Sequence, residues 1–325
     1  MERIESRPDE LDQRIIAALQ VDGRASWRRI AKVLREPERT VARRGARLLS
    51  TGSVAVRGFA LRGEMVVLRL NCAPSALRVA ATTLARRSDT TFTYLMTGAA
   101  DCAAEISCPS PRLAALVLDE LPGTPGLVAS STNPVLRYFR GVHEWQPGLL
   151  SADEAADMAE FPPVTTYAPP PDQPRSPEER QLVRLLTEDG RRTNEELAVL
   201  TRLSEPTVRR RIDTMRREGR LLVRAVVDPA LLGLPVEALL WMKMSPRYID
   251  LVGESLLDSN FVRYAVATAG EYQILVHVAI TDTGALHEFI TTAPWAEYVD
   301  VVETSMIIDA PKRTGVLHPS LRDEQ

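Results

Sequence analysis

Apolar positions along the chain fall twice into the same helical pattern. Leu11, Ile15, Ile16 and Leu19 share one helical face, and the run stops at Asp22-Gly23, where the glycine suits a helix C-cap. Ser26 is placed to cap a second helix with Trp27, Ile30, Ala31 and Leu34 inward. Pro37 opens a third helix, whose core side is Val41, Gly45 and Leu48. Further on, Leu182, Leu185 and Leu186 lead to Asp189-Gly190, and Thr193 caps a helix carrying Leu197, Ala198 and Leu200. Ser204 then caps a third helix with Val208, Ile212 and Met215 inward. The two sets align without a gap at an offset of 167, with 13 identities in the 36 positions from Asp22 to Arg57. A period this long implies a duplicated multi-element unit, because solenoid repeats recur every ~20 to 50 residues.

Charge sharpens this picture. The net charge of -3 over 325 residues argues against a nucleic-acid partner until the charges are located. Residues 24–57 carry ten basic groups against Glu36 and Glu38, a local +8, and residues 191–224 carry ten arginines against five acids, a local +5. Two basic segments therefore sit in an acidic body, the footprint of discrete phosphate-binding modules. Three short helices with a tight turn before the third match the arrangement that places a recognition helix in the major groove of double-stranded DNA. With positions 41, 45 and 48 inward, Arg39, Thr40, Arg43, Arg44 and Arg47 face outward. In the second copy the equivalents are Pro206, Thr207, Arg210, Arg211 and Thr214, and the expected DNA contacts there are Ser204, Thr207, Arg209, Arg210 and Arg211. Arginine can fork onto guanine or bind phosphate, and the pattern does not say which arginine does which. A solvated arginine-rich helix face, or a tri-helical module that contacts only protein, would give the same pattern.

From Glu196 to Gly233 the second copy resembles the DNA-binding domain and hinge strand of the Lrp/AsnC family, the feast/famine regulators. The resemblance rests on Leu203-Ser204, Thr207-Val208, Arg210-Arg211-Ile212, Gly219, Val227-Asp228-Pro229 and Leu232-Gly233. The first copy departs from it, with Pro37 in place of the serine and Gly45 in place of the isoleucine. The resemblance implies an α+β chain of two winged-type helix-turn-helix domains, each followed by a ferredoxin-like βαββαβ (RAM-type) sensor domain. The expected boundaries are 1–58 and 178–226 for the helix-turn-helix domains and 59–145 and 227–325 for the sensors. A Pro-, Ala- and acid-rich semi-extended linker is expected over 146–177. In the first sensor, strands are expected at 66–72, 91–97, 102–108 and 127–132, with helices at 75–87 and 111–121. In the second, strands are expected at 238–244, 261–269, 273–280 and 299–308, with helices at 247–257 and 283–292.

The same resemblance implies an amino acid or related small effector near the hairpin loop of each sensor, at an interface between subunits of a homo-oligomer. The residues concerned are Gly98 and Asp101 in the first loop and Gly270, Glu271 and Gln273 in the second. A carboxylate there can hold an ammonium group, whereas the glycines alone are explained by a turn that needs positive φ. The rival function is an enzyme, because a siroheme-decarboxylase family also resembles tandem Lrp/AsnC units. Its His-Asn-Tyr-type stretch is replaced here by Phe261 to Val266, and His277, alone among Ile274, Leu275, Val276 and Val278, reads as structural. No Gly-rich phosphate loop, Gly-x-Ser-x-Gly elbow or paired His motif is present, so no catalytic residue, cofactor or metal is expected. Cys72, Cys102 and Cys108 read as small buried hydrophobes. No apolar run approaches the ~20 residues of a membrane span, and the chain is expected to be cytoplasmic, without a membrane partner.

Overall fold

A computed structural model describes residues 8–52, 54–59, 63–161 and 176–321. In chain order the first half runs α1 (Glu10–Val21), α2 (Trp27–Leu34), α3 (Glu38–Ser50), β1 (Val54–Phe59), β2 (Met65–Cys72), α4 (Leu77–Arg86), β3 (Thr90–Met96) and β4 (Cys102–Ser107). Then come α5 (Leu113–Ala115, continued by a π-helical turn to Glu120), β5 (Leu127–Arg140) and α6 (Ala152–Met158). The second half runs α7 (Pro177–Glu188), α8 (Asn194–Thr201), α9 (Glu205–Arg217), β6 (Leu222–Val227), β7 (Val236–Lys243) and α10 (Ile249–Ser255). It ends with β8 (Val262–Thr268), β9 (Ile274–Ile280), α11 (Thr283–Thr292), β10 (Val301–Arg313) and β11 (Val316–Leu317).

The chain folds as two compact units, each assembled from both copies: Met1–Leu61 with Gln146–Leu232, and Arg62–Trp145 with Gly233–Gln325. In the first unit the two tri-helical sets are joined through an antiparallel pair, β1 with β6. Its register places Arg57 opposite Arg224, its own counterpart at the offset of 167, so the pairing has two-fold symmetry. The flanking bonds repeat that symmetry. Gly23 N donates to Val223 O and Gly190 N to Val56 O, both at 2.9 Å. Arg24 donates to the Gly190 and Arg192 carbonyls (2.9 and 3.0 Å), and Arg191 to those of Gly23 and Ala25 (2.9 and 3.3 Å).

Three sequence expectations change here. Gly23 is not a left-handed C-cap: a Cβ on it would stand 2.8 Å from Arg224 Cα, so the glycine admits the neighbouring strand. Leu200 is 48% exposed, and Thr201 takes the buried position at the end of α8. The segment expected as a semi-extended linker folds in part. Ser151 and Glu154 form a capping box that starts α6, and Met158 is fully buried. Arg14 pairs with Glu154 at 2.6 Å and Arg29 donates to the Asp157 carbonyl at 3.1 Å, which fixes α6 on α1 and α2. The rest of the expected linker, 162–175, lies outside the described residues.

The second unit contains two four-stranded sheets of the expected βαββαβ order, β3-β4-β2-β5 and β8-β9-β7-β10. The strands expected at 127–132 and 299–308 run on to Arg140 and Arg313. The second half of β5 pairs with β8, and the second half of β10 with β3, so the two sheets close into one circuit of strands. The helices cover the outer faces over two apolar cores, centred on Leu68, Leu84 and Ile106 and on Leu240, Val252 and Trp295. A third cluster, with Phe92, Tyr94, Trp241 and Tyr264, fills the space between the sheets. Among the described residues, no helix is long and apolar enough to cross a membrane.

Candidate nucleic-acid interface

The recognition helices α3 and α9 are set by the same three buried positions, Val41, Gly45 and Leu48 in one and Val208, Ile212 and Met215 in the other. At 100° per residue, the side opposite these positions carries Arg39, Arg43, Ala46 and Ser50 on α3 and Pro206, Arg210, Asp213 and Arg217 on α9. Arg39, Arg43, Arg209, Arg210 and Arg217 are exposed. Thr40 and Thr207 are half-buried on the flank near each N-terminus. A shallow concavity of about 430 Å³ beside α9 is lined by Pro206, Arg209, Arg210, Asp213 and Arg217. Asp213, Arg217, Ala46 and Ser50 were not singled out from the sequence. The buried triplet of each helix, rotated by half a turn, would have found them.

Not every expected contact residue faces outward freely. Arg44 reaches back to α1, bonding Asp9 at 2.6 Å and Asp12 at 3.1 Å, and Arg47 bonds Asp12 at 2.5 Å. The Arg44 guanidinium holds the Asp9 carboxyl below its usual range. Arg211 is half-buried and donates to Ser176 Oγ at 3.0 Å. Ser204 is at the N-cap of α9, but its hydroxyl pairs with that of Thr207 at 2.8 Å. The flank positions nearest each core thus lock the third helix to the first helix of its own set, and the outer face keeps its exposed arginines. Gly45 has a further reason: a Cβ on it would overlap the Trp27 ring, over which Arg191 stacks at 4.3 Å.

The sensor loops are built alike. Gly98 and Gly270 adopt φ of +106° and +131°, the positive values their turns need. Asp101 Oδ2 accepts from Cys72 N at 2.9 Å, and Gln273 Oε1 accepts from Met244 N at 3.0 Å. The two side chains do the same local work despite the difference in charge. Glu271 stands exposed on its turn. Beside it, Arg69 lies over the Trp241 and Tyr272 rings at 4.6 and 4.8 Å and pairs with Glu303 at 2.5 Å.

Charged groups are also buried between the sheets. Glu237, 7% exposed, accepts from Arg263 (2.8 Å), Arg313 (2.6 and 2.7 Å) and His277 Nε2 (3.0 Å). Burial alone would raise its carboxyl, but Arg313, His277 and Arg263 together hold it well below the usual carboxylate range. Burial pushes the His277 imidazole down to about 4, so the ring is neutral at physiological pH. Glu105 accepts from the Tyr264 and Tyr138 hydroxyls at 2.6 and 2.9 Å. No group of three or more His, Cys, Asp or Glu side chains suited to a metal occurs among the described residues.

An AsnC-type helix-turn-helix domain model matches residues 9–49 and 179–216, and an Lrp/AsnC ligand binding domain model matches residues 237–317. An uncharacterized HTH-type transcriptional regulator of Pyrococcus furiosus is 33% identical over 132 residues, spanning 38% of this chain and 89% of that protein. The HTH-type transcriptional regulator FL11 of Pyrococcus abyssi is 24% identical over 140 residues, spanning 43% of this chain and 93% of its own length. Each relative thus corresponds to one copy of the duplicated unit. Among solved structures, the siroheme decarboxylase NirDL aligns over 96% of this chain and 94% of its own, with a TM-score of 0.61 and 14% identity. At that identity the likeness is one of fold.

Proposed function

Because the chain belongs to the Lrp/AsnC family, we propose that it is a sequence-specific DNA-binding transcriptional regulator with helices α3 and α9 as its readers. The observation that carries this reading is the pair of arginine-bearing outer faces on two AsnC-type domains joined by a two-fold strand pair. Arg39, Arg43, Arg209 and Arg210 contact bases or phosphates, and Thr40 and Thr207 contact phosphate near the helix N-termini. Arg44, Arg47 and Arg211 hold the helices in place. An amino acid or related small effector binds at the hairpin loops of the second unit. Since Asp101 and Gln273 already serve strand amides, the exposed Glu271 is the side chain suited to an ammonium group.

An enzymatic reading would need a reactive group, and the fold likeness to a decarboxylase supplies none. His277, the buried histidine among the described residues, is 2% exposed and hydrogen-bonded to Glu237. Fluorescence anisotropy on the chain's own upstream DNA and on a scrambled duplex, across a salt series, tests the proposal. Tight binding to the upstream duplex is expected, weakened by salt with a log–log slope of roughly 0.9 per phosphate contact and weakened again in Arg210→Ala. Equal, weak binding to both duplexes that ignores Arg210→Ala would overturn it.

A further inference from the structure

The two readers of this chain are joined like the halves of a symmetric dimer, but their reading faces differ in chemistry. We propose that a single chain occupies a two-part, non-palindromic DNA site, with α3 reading a guanine-rich half and α9 a half in which a cytosine faces Asp213. This inference rests on the DNA-binding reading above.

The β1–β6 register is two-fold about Arg57 and Arg224, the Gly23 and Gly190 amides exchange bonds across it, and Arg24 and Arg191 tie each set to the other. Asp22, 1% exposed, extends the link by pairing with Arg216 of α9 at 2.7 Å. The two readers are therefore held to each other within a single chain. The offset of 167 then compares the outer faces position by position. Arg43 and Arg210 are shared, whereas Arg39 becomes Pro206, Ala46 becomes Asp213 and Ser50 becomes Arg217.

The chemistry follows from those exchanges. Arg39 and Arg43 lie four residues apart on one face of α3 and offer only donors, which suit the O6 and N7 acceptors of guanine. On α9 the carboxylate of Asp213 follows Arg210 at three residues and can only accept, as cytosine N4 requires. Asp213 and Arg210 line the same concavity. Identical modules about a two-fold axis demand a palindrome, and these modules are not identical.

The test is selection of bound duplexes from a randomised library by the full chain, with the number of chains per duplex measured by light scattering. Expected are two unlike half-sites per chain. Arg43→Ala should relax guanine preference in one half only, by about 5- to 150-fold. Asp213→Asn, which exchanges an acceptor for a group matched to adenine, should move preference from cytosine to adenine in the other half only. An inverted repeat, or substitutions that act equally on both halves, or two chains on each two-part site would overturn this inference while leaving DNA reading intact. No enrichment by the parent chain would overturn both.

Discussion

Gly23 lies where α1 ends against the wing strand of the other copy, and nothing larger fits. Substituting alanine would set a Cβ 2.8 Å from Arg224 Cα and 2.9 Å from its amide nitrogen, so backbone and not a side-chain tip must move. Helix-forming tendency is not at stake there, and Gly23→Ala should destabilise the first unit by about 1–3 kcal/mol, read as a lower urea midpoint. The sequence marks this glycine through its conserved spacing in both copies but assigns it to a cap, because a close approach from residues 200 positions away leaves no local trace. His277 makes a second residue-scale case. Its neighbours are Glu237 of β7, Arg263 of β8, Arg313 of β10 and the Tyr94 ring of β3, 5.1 Å away. With a folded value of about 4 against 6.5 in the unfolded chain, the unfolded state binds the proton first as pH falls. Stability should then be intact above pH 6.5 and decline toward pH 4, by on the order of 3 kcal/mol. Glu237 stays ionised throughout that window, and its own contribution is lost only below it. His277→Gln, which keeps a donor toward Glu237, should flatten the slope of unfolding free energy between pH 6.5 and 4. An unchanged slope would assign the titration elsewhere.

Among the elements, helices with explicit start signals were the most legible. Thr193 with Glu196 forms the capping box that opens α8, and Ser26 accepts from Arg29 N as its position implies. The same signal, Ser151 with Glu154, was present before α6, yet a seven-residue helix next to a proline-rich stretch offers too little periodicity to stand out. What makes α6 an element is tertiary. Met158 is fully buried, Glu154 meets Arg14, and beyond the helix Phe161 lies under Arg216 at 4.6 Å. Met158→Ala should therefore cost about 2–5 kcal/mol of first-unit stability, whereas a spacer would tolerate it, and thermal denaturation separates the two. The long strands β5 and β10 failed for a related reason. Their second halves carry bulges at Leu136 and Ile308, and burial there runs in blocks, with Leu136 and Arg137 both exposed and Ala310, Pro311 and Lys312 all buried, which breaks the period-two alternation a strand is recognised by.

Across the whole molecule, sequence similarity divides the chain in the middle, whereas packing divides it the other way. Each compact unit takes one half of its residues from either copy, so neither copy completes a unit alone. Residues from Met1 to Phe161 would retain β1 without β6, and β3 and β5 without β10 and β8. They would also expose the Phe92 and Tyr94 side of their sheet, which in the intact chain packs on Trp241 and Tyr264. Three unpaired strands and an apolar sheet face are a template for further pairing. Produced separately, residues 1–161 and 162–325 should each self-associate or precipitate, because the duplicated surfaces can meet a second copy of themselves in the same register. Co-expression should instead give a 1:1 complex, since only the unlike pair forms the Tyr264–Glu105, Arg69–Glu303 and Arg137–Asp250 contacts that join the two copies. Affinity purification through a tag on one fragment, followed by light scattering, measures this. Recovery of a stable, monomeric 1–161 fragment would show that β5 and the first sheet do not depend on their crossed partners, and would remove the physical basis for treating the two copies as one interlocked molecule.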